Sequence, residues 1–202
     1  MSVVGIVPAA GAGERLGADG PKAFAVLGGR PMVEWSLDVL REACDRVVVA
    51  VPADRADPPD FVAGGATRSE SVRAALNAAP EAEIVVVHDA ARPMVTVDLV
   101  RRCLDALGDH DGVIAAIPVT DTVKDVEGGE VIGTPDRGRL WAAQTPQVFR
   151  ADVLRRAMGA EATDDASLVE AAGGRVRMVE GFPENFKVTT ALDMRIAEML
   201  LC

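Results

Sequence analysis

The stretch VVGIVPAAGAGERLGADGPK, Val3 to Lys22, runs from a β-branched apolar segment straight into a loop containing Gly11, Gly13, Gly17 and Gly20. A short continuous apolar run that empties into glycine reads as a strand of a parallel sheet, buried on both faces, followed by a loop at its carboxyl end. The same kind of run recurs as RVVVAV (46–51), IVVVHD (84–89) and GVIAAIPV (112–119). Between the runs lie amphipathic segments: PMVEWSLDVLREA with Pro31 suited to a first helical turn, TRSESVRAALNAA, and TVDLVRRCLDALG with Thr96 as N-cap and Gly108 as stop. Strand and helix in alternation predict an α/β fold, a doubly wound and mostly parallel sheet with helices on both faces.

The alternation breaks at about 120–140, where DTVKDVEGGEVIGTPDR places two short alternating stretches around Gly128 and Gly129. That pattern predicts a β-hairpin arm protruding from the core. Helices near 151–159 and 164–172, a strand RVRMVEG and a terminal helix TALDMRIAEMLL complete the chain. With no repeat, linker or low-complexity segment, 1–202 is expected to be one domain.

Ligands of open α/β sheets bind at the carboxyl ends of the strands. The opening loop, HDAARP (88–93) and PVTDT (118–122) all leave strand ends and are expected to converge on one crevice. The loop itself fits neither familiar phosphate motif. The dinucleotide fingerprint G-x-G-x-x-G fails because Leu16 stands where the third glycine belongs, and a P-loop fails because Lys22 follows Pro21 and precedes Ala23. What remains is a glycine turn able to bring backbone N–H groups to an anion, with Arg15 and Lys22 at its far side.

Composition narrows the partners. The net charge is −10 and no Lys/Arg run could track a nucleic-acid backbone, so nucleic acid and anionic membranes are excluded as expected partners. Nothing approaches a membrane span, MSVVGIVPAA lacks a basic leader, and a cytoplasmic location is expected. Cys44, Cys103 and Cys202 form no C-x-x-C pair, and His88 and His110 are the only histidines, which argues against disulfides and zinc. Of 21 cations, lysine occupies only positions 22, 124 and 187. A compact ammonium suits a single phosphate oxygen where the planar arginine fork suits bidentate contacts, so these three lysines are marked out.

PAAGAGERLG with its PK, GGATRSESV, VVVHDAARP, PVTDTVK, LWAAQTPQVF, TDDASLVE and VEGFPENFKVTT stand in that order from Pro8 to Thr190. Together they resemble the 2-C-methyl-D-erythritol 4-phosphate cytidylyltransferases of nonmevalonate isoprenoid synthesis. The resemblance covers about residues 3–195, and the seven segments in order are far more specific than the glycine loop alone. It implies a Rossmann-like nucleotidyltransferase sheet and transfer of a cytidylyl group from CTP to methylerythritol phosphate, releasing pyrophosphate by direct in-line attack.

By the same resemblance Arg15, Lys22 and Lys187 are the catalytic cations around the reacting phosphates, with Mg²⁺ as cofactor bridging phosphate oxygens. Pro8, Ala9, Ala10 and Gly11 together with Gly64, Gly65 and Ser71 form the nucleotide cradle. Asp89, Arg92, Thr122, Arg137, Thr145 and Thr163 are implied on the acceptor side, Asp89 either on a sugar hydroxyl or on the metal. Thr122 and Arg137 sit on the arm, which implies a homodimer whose exchanged arms complete each other's sites. From the residues themselves, His88 is expected to be a structural hydrogen-bonder. Arg68 stays open between ligand contact and first-turn charge, and Thr145 and Thr163 between ligand contact and turn capping. Ribitol 5-phosphate cytidylyl transfer and a noncatalytic nucleotide-binding module are the alternative readings.

Overall fold

The computed structural model describes residues 1–11, 20–159 and 164–201. The chain begins with β1 (Val3–Pro8), a short ribbon β2 (Val26–Leu27) and β3 (Arg30–Pro31), α1 (Met32–Ala43) and β4 (Arg46–Val51). Next come β5 (Phe61–Ala63), α2 (Arg68–Asn77), β6 (Ile84–Val87), α3 (Val97–Asp105) and β7 (Gly112–Pro118). The arm is β8 (Asp125–Glu127) and β9 (Glu130–Gly133); β10 (Trp141–Arg150), α4 (Ala151–Ala157), α5 (Asp165–Ala171), β11 (Val176–Glu180) and α6 (Ala191–Leu201) follow.

Seven strands form the main sheet in the order β11-β7-β10-β6-β1-β4-β5. β1 pairs in parallel with β4 and β6, β4 with β5, and β7 with β11, while β10 runs antiparallel to both its neighbours. Side chains alternate across the pleat. Val7, Val49, Val86 and Val148 meet Leu37 and Leu40 of α1 and Leu99, Val100 and Cys103 of α3 on one face. On the other, Ile6, Val48, Val85, Val87 and Phe149 meet Val72 and Leu76 of α2, Leu154 of α4 and Val169 of α5. This is the layered, helix-covered sheet that the apolar runs predict.

Local chemistry fixes the helix starts that matter for the site. Thr67 accepts from the Glu70 N–H at 3.2 Å while Glu70 accepts from the Thr67 N–H at 3.1 Å, a capping box that pins the loop entering α2. Asp164 caps α5 by accepting from Ser167 N at 3.0 Å, and Thr96 caps α3 by accepting from Leu99 N. Pro31 lies one residue ahead of α1, not in its first turn. In the arm, Gly128 and Gly129 have φ of +58° and +88°, the pair of left-handed residues that a tight two-residue hairpin requires.

The short strands β2, β3 and β5 and, more consequentially, β10 escaped the reading of apolar runs. β10 lies in the middle of the sheet, yet it carries Gln144, Thr145, Pro146 and Gln147, and its pairing with β7 shifts register between Ala143 and Gln147. Proline cannot donate to a ladder, so a proline inside a central strand costs regularity, and here it coincides with the irregularity.

Candidate active site

Three chain segments close over the carboxyl ends of β1 and β6. They are the continuation of β1 through Gly11, the loop from Gly65 into α2, and the turn 88–92 after β6. Together with Lys22 and Lys187 they line a cavity of about 230 Å³. Lys22 opens a 3₁₀ turn, Lys22–Phe24, whose Phe24 N–H is held by Pro21 O at 2.9 Å. Lys187 is set against the β6 turn because Val188 N donates to Ala91 O at 2.8 Å.

The loop into α2 is packed against the loop after β1 to a tolerance that only glycine meets. A Cβ on Gly64 would stand 2.5 Å from Ala10 Cβ and 2.8 Å from Ser71 Oγ, and one on Gly65 would collide with the Glu70 side chain. Ser71 is buried; its hydroxyl donates to Thr67 O at 3.0 Å and accepts from Gly65 N at 3.2 Å, holding the loop in place. Pro8 has no N–H and Ala9 spends its own on Ala50 O at 2.7 Å, so those two can offer a ligand carbonyls and shape rather than amide hydrogens.

Charge concentrates on Asp89. Its Oδ1 lies 3.0 Å from Arg68 Nε and its Oδ2 2.9 Å from Lys187 Nζ, with Arg92 Nε 3.8 Å from Oδ2. Burial alone would raise the Asp89 pKa, but the Arg68, Lys187 and Arg92 charges outweigh it and hold the carboxyl well below the usual carboxylate range. Arg68 reaches a second carboxylate, Asp165 Oδ2 at 2.7 Å, at the start of α5. Burial opposes the Arg68 charge, yet the two carboxylates raise its pKa further above the ordinary arginine value. Arg92 is shifted down by burial and by Arg68, against the pull of Asp89.

Behind this cluster runs a directed hydrogen-bond chain. The Asp89 N–H donates to Thr145 Oγ1 at 3.0 Å, and Thr145 Oγ1 lies 3.0 Å from His88 Nδ1. His88 Nε2 lies 3.2 Å from Arg92 O, which can only accept, so Nε2 carries the proton and Nδ1 accepts from the threonine hydroxyl. His88 is fully buried and its pKa is pushed down to about 4 by desolvation, so it stays neutral and structural, as its position at a strand end suggests. Arg92 donates to Asn185 O at 2.8 Å, and Asn185 Nδ2 donates to Thr145 O at 2.9 Å and Gln144 Oε1 at 3.0 Å. The loop of contacts returns to the segment that carries Lys187.

The structure thus brings together Pro8, Ala9, Ala10, Gly11, Lys22, Gly65, Ser71, Asp89 and Lys187 around one cavity. Arg92 and Thr145 stand behind it as supports, with the Thr145 hydroxyl already committed at both its partners. Arg15 and Thr163 lie outside the described residues. Thr122 and Arg137 are exposed on the arm, Arg137 donating to Thr120 O at 2.6 Å, and neither lines the cavity. Among the described residues none of 118–122 lines the cavity, and β10 is inserted between β6 and β7, which moves the end of β7 one strand further off. Asp165, Asn185 and Gln144 went unread in the sequence: each acts through a partner distant in the chain, as with Arg68 and Asp165, 97 residues apart.

Among the described residues Asp89 is the one carboxylate lining the cavity, and both its oxygens face cations. Among the described residues no group of three or more His, Cys, Asp or Glu could hold a metal ion. The described residues thus offer no preformed set of oxygen ligands for Mg²⁺ beyond Asp89, whose oxygens are already engaged. Burial pushes the Cys44 and Cys103 thiols up to about 12, so neither is a thiolate nucleophile at neutral pH. No helix among the described residues is long and apolar enough to cross a membrane.

A mostly parallel, doubly wound sheet with a glycine-lined cavity and paired lysines at its carboxyl edge defines a Rossmann-like nucleotidyltransferase. Residues 3–202 match the family model of 2-C-methyl-D-erythritol 4-phosphate cytidylyltransferase, and the chain belongs to that family. A relative of that name from Nocardia farcinica is 50% identical over 216 residues, covering 99% of this chain and 94% of its own length. One from Prochlorococcus marinus is 43% identical, covering 97% of this chain and 96% of its own. The crystal structure of the Thermus thermophilus enzyme of that name superposes with a TM-score of 0.84 at 40% identity, covering 99% of this chain and 98% of the other.

Proposed function

We propose that the chain transfers the cytidylyl group of CTP to the phosphate of 2-C-methyl-D-erythritol 4-phosphate. A phosphate oxygen of the acceptor forms a bond to the α-phosphorus as the α–β bridging P–O bond breaks; CDP-methylerythritol and pyrophosphate are the products. The observation that carries this reading is the placement of Lys187 and Lys22 on the same cavity as the glycine-closed loop at 64–65. The nucleophile is already ionised, so no general base is required and no covalent enzyme intermediate forms. The chain's work is positioning and charge: the loops at 8–11 and 64–71 fix the nucleotide, while Lys22, Lys187 and Arg15 offset the charge that develops on phosphate oxygens. Closure of a main-chain loop sized by Gly64 and Gly65 selects a pyrimidine over a purine by room alone.

Mg²⁺ enters on this reading with the nucleotide's own phosphates. The acceptor side is completed in a homodimer, where Thr122 and Arg137 reach the partner's crevice from the arm. In support, Val126, Val131 and Ile132 of the arm are each more than half exposed, and an isolated two-stranded ribbon is marginal in water. A cytoplasmic location accords with an enzyme acting on two soluble phosphates.

The test is pyrophosphate release. Turnover is expected only when CTP and methylerythritol phosphate are both present, and EDTA abolishes it. Equal rates with ribitol 5-phosphate, or equal use of another nucleoside triphosphate, overturn the substrate assignment, and nucleotide binding without turnover returns the noncatalytic reading.

A further inference from the structure

Two carboxylates, Asp89 and Asp165, meet three cations, Arg68, Arg92 and Lys187, at the wall of the cavity and just behind it. Counted formally over these five groups, cations outnumber carboxylates by one. Lys187 is the most exposed of the three, its side chain 40% accessible against 27% for Arg68 and 11% for Arg92. The surplus charge thus sits on the residue that an incoming anion can reach.

Arg68 cannot follow it. Its Nε holds Asp89 Oδ1 and its Nη1 holds Asp165 Oδ2, so the guanidinium is stretched between two carboxylates, one of them with no accessible surface. A planar fork spreads its donors in fixed directions and so holds two separated acceptors at once, whereas an ammonium offers its donors from a single point. When Lys187 turns toward another anion, Asp89 keeps Arg68 at 3.0 Å and Arg92 at 3.8 Å and is not left as a bare buried charge. Without Arg68, the same carboxylate at 8% exposure would grip its nearest remaining cation, Lys187, and hold it away from the cavity.

We propose that Arg68, anchored by Asp165, is a fixed counter-charge that lets Asp89 hold Lys187 in position and yield it to a substrate phosphate. Arg68 and Asp165 are positioning residues; Lys187 makes the contact. The proposal rests on the reading that Lys187 meets phosphate in cytidylyl transfer.

The chain has three lysines, so [¹⁵N]lysine labelling gives three side-chain Nζ signals, assigned by K22A, K124A and K187A. The probe is CTP without acceptor, added to the wild-type chain and to R68M/D165L, which replaces the pair by apolar groups of similar bulk. The Lys22 signal reports nucleotide binding and the Lys187 signal reports release from Asp89. Both are expected to move in the wild-type chain; in R68M/D165L the Lys22 signal moves while that of Lys187 stays or requires at least tenfold more CTP. If R68M/D165L does not fold, R68Q/D165N, which keeps polar groups at both positions but removes both charges, carries the same comparison.

Equal movement of the Lys187 signal in wild-type and variant chains overturns the proposal while leaving the proposed function standing. So does a wild-type Lys187 signal that stays fixed while that of Lys22 moves. If neither signal moves in the wild-type chain, nucleotide binding itself fails and the proposal falls with it. A cycle on turnover adds a second reading: K187A, costly in the wild-type background, is expected to cost less than tenfold further in R68M/D165L, and an undiminished cost counts against the hand-over.

Discussion

Around Asp89 the carboxylate and the amide are held by Arg68, Lys187 and a buried threonine, whereas the β8–β9 arm leaves Val126, Val131 and Ile132 more than half exposed. The arm's two cations of interest rest on neutral oxygens at its own base, Lys124 on Thr134 and Arg137 on Thr120. Around Asp89 the described side chains find their partners within their own chain, and those partners constrain what each group can do. The arm is finished only as a shape. A residue such as Arg137, implied in the site by resemblance yet exposed and absent from the cavity's lining, would serve a site only where another surface comes to it.

The contrast between crevice and arm breaks most visibly at the lysines. If the crevice does the chemistry, Lys187→Ala and Lys22→Ala each lower kcat by roughly 10²-fold or more, about 3 kcal/mol of transition-state stabilisation per cation. Steady-state kinetics with both substrates varied decide the matter. A raised KM at unchanged kcat would mean that the lysines bind ground state and transition state alike.

The crevice also makes a prediction about stability that the arm does not share. His88 is buried neutral with its pKa lowered from 6.5 to about 4, so between those values the unfolded chain takes a proton that the native chain refuses. Stability is therefore complete above pH 6.5 and declines as pH falls toward 4, by about 3 kcal/mol over the window. Thermal unfolding of the wild-type chain and of His88→Gln at about pH 7 and about pH 4.5, on either side of most of that window, isolates this contribution. The variant should be less stable at neutral pH and show a shallower pH dependence, and parallel pH profiles would mean that the histidine does not carry the effect. Asp89 acts in a separate, more acidic range: its depressed pKa contributes stability above the ordinary carboxylate value that is lost only as pH falls below it.

Much of the crevice was legible in the sequence, for reasons that particular residues show. β1, β4, β6 and β7 announce themselves as apolar β-branched runs because strands of this kind are buried on both faces. Pro8–Gly11, Gly65, Lys22 and Lys187 were nameable because their segments resemble those of a known family, with their place at strand ends and the scarcity of lysine in this chain as independent support. β10 was not legible, since Pro146 argues against a central strand and Gln144, Thr145 and Gln147 look like surface residues until His88, Asn185 and Asp164 supply their partners. The Asp165–Arg68–Asp89 chain was hidden for a related reason. Periodicity records which face a residue occupies, but a bridge between α2, β6 and α5 exists only once the sheet has brought them together.

The arm is tested next by complementation. Arg137→Ala, predicted to lower activity about 30-fold through loss of one charged contact worth about 2 kcal/mol, is mixed with Lys187→Ala under conditions of demonstrated subunit exchange. A mixed dimer has one crevice with an intact lysine facing an intact arm and a second crevice carrying both lesions. At equal amounts half the dimers are mixed, and activity should recover to about a quarter of wild type, the arithmetic of a twofold dimer with shared sites. No recovery would place Arg137 in its own chain's service or in none.

The smallest effect asks whether the arm's apolar faces are covered at all. Val126 and Val131 face each other across the β8–β9 ladder and are 53% and 61% exposed. Threonine keeps the β-branched shape that a strand favours and exchanges one methyl for a hydroxyl, so on a free ribbon V126T and V131T should change stability by less than about 0.5 kcal/mol. Against a partner surface each new hydroxyl would be desolvated and the packing of the missing methyl forfeited, at a cost of about 1 kcal/mol per side chain. The two cases separate further on dilution. A free arm leaves Tm independent of protein concentration and untouched by either substitution, while a clasped arm makes Tm rise with concentration and the substitutions weaken that rise. Because the ribbon lies outside the sheet that holds the crevice, a loss that appears only at concentrations where the dimer forms assigns Val126 and Val131 to a subunit interface. An equal loss at every concentration assigns them to the stability of the ribbon itself, and the arm would then need no partner.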